Sequence, residues 1–272
     1  MVVVLQKNVD YNKNKKRMST LTCIETYIDK NQDHYGCFVI EPLEIGQGIT
    51  LGNTLRRTLL SDLSGYAISG VRINNLKHEF SVIEGLREDV LEVILNLKEI
   101  IFKSGFSNNL EKRESVKAFL NVKGPIIVTA GLFQLPEKLI KIINPSQYIC
   151  TIIDNSELYL EIDIENGKGY KLTEENRSQK TDRNISINKP STLFIDAIFM
   201  PVKKVNYKIK LIHDTKGNIK ESLVLEILTN GSLTPKRSLS EALKILINLF
   251  YSLFVTPTFL KVSENIKREA SN

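Results

Sequence analysis

The sequence predicts an α+β fold in which many short strands share the chain with three helices. Two observations carry this. Polar and apolar residues alternate over Thr20 to Ile28, Tyr35 to Pro42, Val205 to His213 and Ile219 to Leu228, as half-buried strands do. Leucines instead recur every four residues at Leu51, Leu55, Leu59 and Leu63, which lines one face of a helix.

Taken in chain order, the first helix stands behind a glycine-hinged turn in EPLEIGQGITLGNTLRRTLLSDLSG, residues 41–65. Thr50 is its expected N-cap and Ser64-Gly65 its stop, while Arg56 and Arg57 flank the leucine stripe. Strand-like alternation returns from Tyr66 to Phe80, with Ala67, Ser69, Val71 and Ile73 on one face. A second helix is expected over Val82 to Phe102. Ser81 and Glu84 would form its capping box, and Leu86, Val90, Ile94, Leu97 and Ile101 its stripe. Short strands follow at Val116–Val122, Ile126–Thr129, Tyr148–Ile153 and Leu158–Ile164, parted by Lys123-Gly124-Pro125 and Glu165-Asn166-Gly167. Thr173 to Pro190 is polar and reads as a connection, and Asp214 to Asn218 joins the last two strands as a hairpin.

The third helix is expected over Ser238 to Phe254, opened by Ser238 and Glu241. Leu239, Leu243, Leu246, Phe250 and Leu253 make one stripe, and Ala242, Ile245, Leu249 and Phe254 widen it. The polar strip left over is too narrow for a surface helix of a monomer. Such a helix needs neighbours on both sides, and a two-fold axis supplies them from one sequence. A helix fully buried inside a monomer is the competing explanation.

Composition bounds the function. The 272 residues can hold one large domain or two ordinary ones. A net charge of +6 is spread among 31 acidic residues, and the one basic cluster, Lys13, Lys15, Lys16 and Arg17, reads as a solvated leader rather than a nucleic-acid arm. Cys23, Cys37 and Cys150 are too widely spaced for a disulfide framework. His34-x-x-Cys37 with Cys23 offers three soft ligands without a paired CxxC, so buried thiols are expected rather than zinc. No apolar run reaches the length of a membrane span, and Val2 to Leu5 is too short for a signal-peptide core. The 32 isoleucines and 27 lysines against 6 alanines point to an AT-rich genome, which organelles and some bacteria share.

No constellation for catalysis stands out. Gly46-x-Gly48 lacks the third glycine of a dinucleotide loop, and no Walker-type loop or nucleophile elbow appears. Glu88, Asp89 and Glu92 read as a solvated acidic edge. His78 reads as a structural or contact histidine. No metal and no cofactor are expected.

The run TLGN-x-LRR-x-LLS from Thr50 resembles the amino-terminal region of the α subunit of bacterial-type RNA polymerase. Lys77-His78-Glu79-Phe80-Ser81 with Glu84-Gly85 and Glu88 to Lys98, then Gly167-Lys168-Gly169-Tyr170, then Asp196-Ala197 through Pro201 to Tyr207, resemble further signatures in the same order. The resemblance spans about residues 20–254 and implies a non-catalytic role.

Two copies would dimerise through Leu239, Leu243, Leu246, Leu249, Phe250 and Leu253. The dimer would assemble the β and β′ subunits. Arg57, with Arg56, Leu60 and Ser61, would dock β, whereas Glu92, Lys98, Gly167, Lys168, Gly169 and Tyr170 would face one of the large subunits. The implied architecture is a discontinuous dimerisation domain, residues 20–64 and 191–254, built of an antiparallel sheet and two helices. A mostly β domain, 65–172, is inserted into it, followed by a 173–190 linker, with tails at 1–19 and 255–272. The 18 residues after Phe254 are too few for the family's carboxy-terminal helical domain, so DNA is expected to be met only through the complex, and no membrane partner is expected. A plastid stroma is the expected location, with a bacterial cytoplasm as alternative. A stand-alone nucleic-acid-binding or other homodimeric interaction protein is the rival function.

Overall fold

A computed structural model describes residues 19–30, 32–74, 76, 78–105, 115–136, 139–173, 192–214 and 217–255. The basic cluster at 13–17 and nearly all of the 173–190 connection lie outside them.

Two sheets organise the chain. The first has β1 (Thr20–Ile28), β2 (His34–Leu43), β13 (Val202–His213) and β14 (Ile219–Thr229), antiparallel in the order β1-β2-β14-β13. Helices α1 (Gln47–Ser61) and α3 (Pro235–Phe254) lie on one face of it. Phe38 and Ile40 from β2 and Leu223, Leu225 and Ile227 from β14 meet Leu55 and Leu59 of α1 and Leu239 and Ala242 of α3. Period-two apolar positions on the strands thus face period-3.6 positions on the helices.

The second sheet has β3 (Ser64–Ile73), β5 (Val116–Lys123), β9 (Glu157–Lys168) and the short β11 (Leu193–Phe194), in the order β11-β3-β9-β5. Its core, separate from the first, joins Val71, Ile73, Ala118, Leu120, Leu160 and Ile162 to Val93 and Leu97 of α2 (Val90–Lys98). Three two-stranded ribbons complete this lobe: β4 (Phe102–Ser104) with β7 (Ile140–Ile142), β6 (Ile126–Thr129) with β8 (Tyr148–Ile152), and β10 (Tyr170–Lys171) with β12 (Ala197–Ile198).

The helix boundaries depart from expectation for physical reasons. Helix α1 begins at Gln47, not after Thr50. Gly46 occupies its N-cap at φ 89°, and the buried Glu221 carboxylate of β14 accepts the N–H of Gly46 at 2.9 Å and of Gly48 at 2.8 Å. An anion from a distant strand does what a local cap would do, and it opposes the positive end of the helix dipole. A Cβ at Gly48 would stand 2.7 Å from that carboxylate, so the close approach demands glycine. Thr50 donates its hydroxyl back to the Gly46 carbonyl instead, and the helix stops at Ser61.

Helix α2 is half the expected length. Gly85 sits at φ 80°, Leu86 bridges to Ile152, and the Ser81 hydroxyl meets His78 rather than forming a capping box. Glu88 is not part of a solvated edge, because its carboxylate accepts the Thr151 N–H at 2.7 Å and the Tyr148 hydroxyl. At the other end Phe102 leaves the helical path to pair with Ile142. Helix α3 starts at Pro235, capped by the Thr234 hydroxyl, which accepts from the Arg237 N–H. Proline at the first position fits, since its missing N–H has no partner there. Ser238 and Glu241 form no capping box; Glu241 instead meets Arg237 at 2.8 Å.

Candidate docking surfaces

Helix α1 carries the arginine pair outward. Leu55, Thr58 and Leu59 are buried, Leu60 is half-buried against the first core, and Arg56, Arg57 and Ser61 are exposed. Neither arginine makes an ion pair among the described residues, while the Ser61 hydroxyl shares its one proton between the Arg57 carbonyl at 2.9 Å and the Asp62 carboxylate at 2.8 Å. A planar guanidinium left to solvent on a helix is chemically able to pair in a fork with a carboxylate.

Helix α3 splits the expected dimer stripe. Leu239 and Leu246 are buried at 1% and 8% exposure within the chain's own core, and Leu243 is half-buried. These inner positions are not the free surface that the stripe implied. Leu249, Phe250 and Leu253 are exposed at 53%, 59% and 56%, joined by Ile247, Tyr251 and Phe254. The helix outruns its sheet, so one apolar pattern serves a core first and then solvent. On β1, Leu21, Ile24 and Ile28 are also exposed, a contribution that strand alternation does not announce.

The third surface gathers α2 and the segment after β9. Gly65 and Gly167 both abut Phe199: a Cβ would lie 2.0 Å from its carbonyl oxygen at one and 2.8 Å from its ring at the other. The Phe199 N–H donates to Gly169 O at 2.9 Å, and this seats the turn that carries Tyr170. Asp196 then links the parts. It accepts the Thr173 N–H at 3.0 Å and hydroxyl at 2.6 Å, and the Lys98 ammonium stands 3.9 Å away. The Thr173 bonds hold the Asp196 carboxyl below the usual range, and the Tyr170 phenol is raised by its hydrogen bond to Asp196.

Lys98 and Tyr170 are therefore brought together, but other members of the expected set are not. Glu92 is exposed on α2, yet six residues from Lys98 it lies roughly 120° around the helix. Lys168 lines a cleft of about 700 Å³ with Lys103, Arg237 and Lys244. Sequence reasoning missed Asp196 as a site residue, although the Asp196-Ala197 signature contained it. It also missed Leu91 and Leu95, exposed apolar residues on the outer face of α2.

The cysteines separate. Cys37 and Cys150 are buried, and burial pushes the Cys150 thiol up to about 12. Cys23 lies exposed on β1, against the expectation of a buried thiol. Among the described residues no group of His, Cys, Asp and Glu is placed to hold a metal ion, and no helix is long and apolar enough to cross a membrane.

Residues 71–200 match the RNA polymerase Rpb3/RpoA insert domain. The chain is 47% identical over 233 residues to the DNA-directed RNA polymerase subunit alpha of Pyropia yezoensis, covering 86% of this chain and 70% of that protein. It is 48% identical to the subunit alpha of Rhodomonas salina, with 86% and 69% covered. Against that of Trichormus variabilis it is 43% identical, with 86% and 70% covered. With the four ordered signatures, this likeness along most of the chain makes it a member of the α-subunit family of DNA-directed RNA polymerase.

Proposed function

We propose that this polymerase subunit is a non-catalytic assembly platform. Two copies join through the outer half of α3, and the dimer collects the β and β′ subunits, which hold the nucleotidyl-transfer site and its metal. DNA is met through the complex. The observation that carries this is the uncovered apolar end of α3, where Ile247, Leu249, Phe250, Leu253 and Phe254 stand in water on a helix whose inner half is already packed. Burying a side chain of this size contributes roughly 1.5–3 kcal/mol, and five from each copy exceed an association cost on the order of 4–15 kcal/mol.

Arg57, with Arg56, Leu60 and Ser61 beside it, supplies the β contact. Glu92, Lys98 and the Gly167, Lys168, Gly169 and Tyr170 segment serve the large subunits. The plastid stroma is the proposed location, supported by the algal relatives and the AT-rich residue usage. Size-exclusion with light scattering, followed by mass spectrometry of chains co-purifying with the tagged protein, tests the proposal. A dimer at micromolar concentration bringing down two very large polymerase subunits is expected. A monomer that captures neither overturns it.

A further inference from the structure

Lys98 and Tyr170 come from distant parts of the sequence, and both converge on Asp196. One oxygen of that carboxylate accepts two bonds from Thr173, the Lys98 ammonium faces its second oxygen at 3.9 Å, and the same carboxylate raises the neighbouring Tyr170 phenol. The end of α2, the β10 strand and Thr173, two residues beyond it, are thus gathered around a single anion. The carboxylate is one-third exposed and the ion pair is loose, so its contribution to folding stability is small. Its effect on freedom is larger. An unrestrained lysine on a surface helix loses rotamers when it docks, whereas one already drawn to a fixed carboxylate loses fewer.

We propose that Asp196 is a positioning residue for large-subunit capture. It holds the Lys98 ammonium beside the Tyr170 ring as one prearranged patch, in which the ammonium's remaining N–H groups donate to carboxylate or carbonyl oxygens of a large-subunit segment and the ring supplies an apolar flank. This rests on the assembly reading above, in which Lys98 and Tyr170 touch a large subunit. Thr173 is the counterweight: its two donated bonds fix the carboxylate, so that Asp196 can orient the other two groups without moving itself.

The test uses the full chain co-expressed with its own β and β′ subunits. Asp196→Ala should reduce capture of one large subunit about tenfold, with dimer and melting temperature retained. Asp196→Asn should fall between, because its carbonyl still accepts from Thr173 but no longer attracts an ammonium. The Tyr170 phenol, titrated by ultraviolet absorbance against a Tyr170→Phe control, should move back toward its ordinary value in Asp196→Ala. Adding Lys98→Ala to Asp196→Ala should weaken capture by less than the product of the two single effects. If Lys98→Ala or Tyr170→Phe weakens capture while Asp196→Ala does not, the positioning role is wrong and the assembly reading stands. Fully multiplicative effects of Asp196→Ala and Lys98→Ala likewise overturn it. If neither Lys98→Ala nor Tyr170→Phe affects capture of either large subunit, the assembly reading of this surface falls and the proposal with it.

Discussion

The two lobes treat apolar surface differently. The lobe around α2 closes on itself: among the described residues, 25 buried ones, from Ile68 to Ile195, form one continuous core between helix, sheet and ribbons. The lobe around α1 and α3 has a core of 14 among the described residues, and α3 continues beyond it with its apolar pattern unbroken. Helix α2 ends close to the last residue it buries, with Leu91 and Leu95 its only exposed apolar residues, whereas α3 runs on past its core. A lobe that completes its own core can present a polar patch such as Lys98, Asp196 and Tyr170. A lobe that leaves half a helix uncovered keeps an exposed apolar surface of the kind that marks interaction sites.

That difference can be broken first at the helix that spans both conditions. Leu239→Ala removes a side chain from the inner core and should cost about 2–5 kcal/mol of stability, read as a lowered urea midpoint. Phe250→Glu lies three turns further on, at an exposed position. It should leave the urea midpoint of the diluted chain nearly unchanged yet convert the dimer to monomer in light scattering. If Leu239→Ala gave a stable monomer, or Phe250→Glu unfolded the lobe, the division of α3 would be misplaced.

The arginine pair sharpens the comparison on the same lobe. Arg57→Ala should preserve the dimer, because the packing residues Leu55 and Leu59 are untouched, and weaken capture of β by about 2–5 kcal/mol. Arg57→Lys should fail nearly as far, since an ammonium cannot form two parallel bonds from one plane. Pull-down of β with dimerisation checked in parallel decides it; wild-type capture by Arg57→Ala would remove Arg57 from the interface. A smaller effect is expected at the other end of α1. Glu221→Gln keeps the shape of the cap but loses its charge and one of its two acceptor oxygens, and should lower stability by about 0.5–2 kcal/mol. The loss should shrink in high salt only slightly, because Glu221 is buried. An unchanged urea midpoint would mean that shape alone, without charge, holds the Gly46 turn.

These positions also mark where the sequence was legible. Most strands with regular alternation were placed to within a few residues: Ile126–Thr129 coincides at both ends, and Tyr148–Ile153 runs one residue long, whereas the alternation expected from Tyr66 to Phe80 ends as a strand at Ile73. Helix ends were not, because the groups that set them lie far away in sequence. Glu221 fixes the start of α1 from 175 residues off, and Ile152 and Thr151 draw 86–88 out of the helical path. Strands of two or three residues such as β10 to β12 are too short for any period to show. The exposure of Arg56 and Arg57 followed from the leucine spacing. The split of the α3 stripe did not, since a leucine facing a sheet and one facing water have the same side chain. Asp196 was visible only as a letter in a signature; its role needed Thr173, Tyr170 and Lys98 in one place.

At alkaline pH the lobes can be compared through one ionisable group in each. Tyr35 on β2 is raised to about 12, first by burial and then by the Glu226 and Glu25 carboxylates, while burial raises Cys150 on β8 to about 12. Both groups are neutral when protonated, and both folded values lie above the unfolded ones, near 10 for the phenol and near 9 for the thiol. The unfolded chain therefore releases these protons first as pH rises. The stability they contribute is complete below pH 9 for Cys150 and below pH 10 for Tyr35, and it is lost as pH climbs toward 12. Urea midpoints followed from pH 8 to 11.5 should fall along this range. In Tyr35→Phe the fall should be shallower above pH 10, and in Cys150→Ala it should begin later, since neither replacement can ionise. If neither variant altered the slope, the alkaline loss would arise elsewhere, and these two groups would not distinguish the self-contained lobe from the incomplete one.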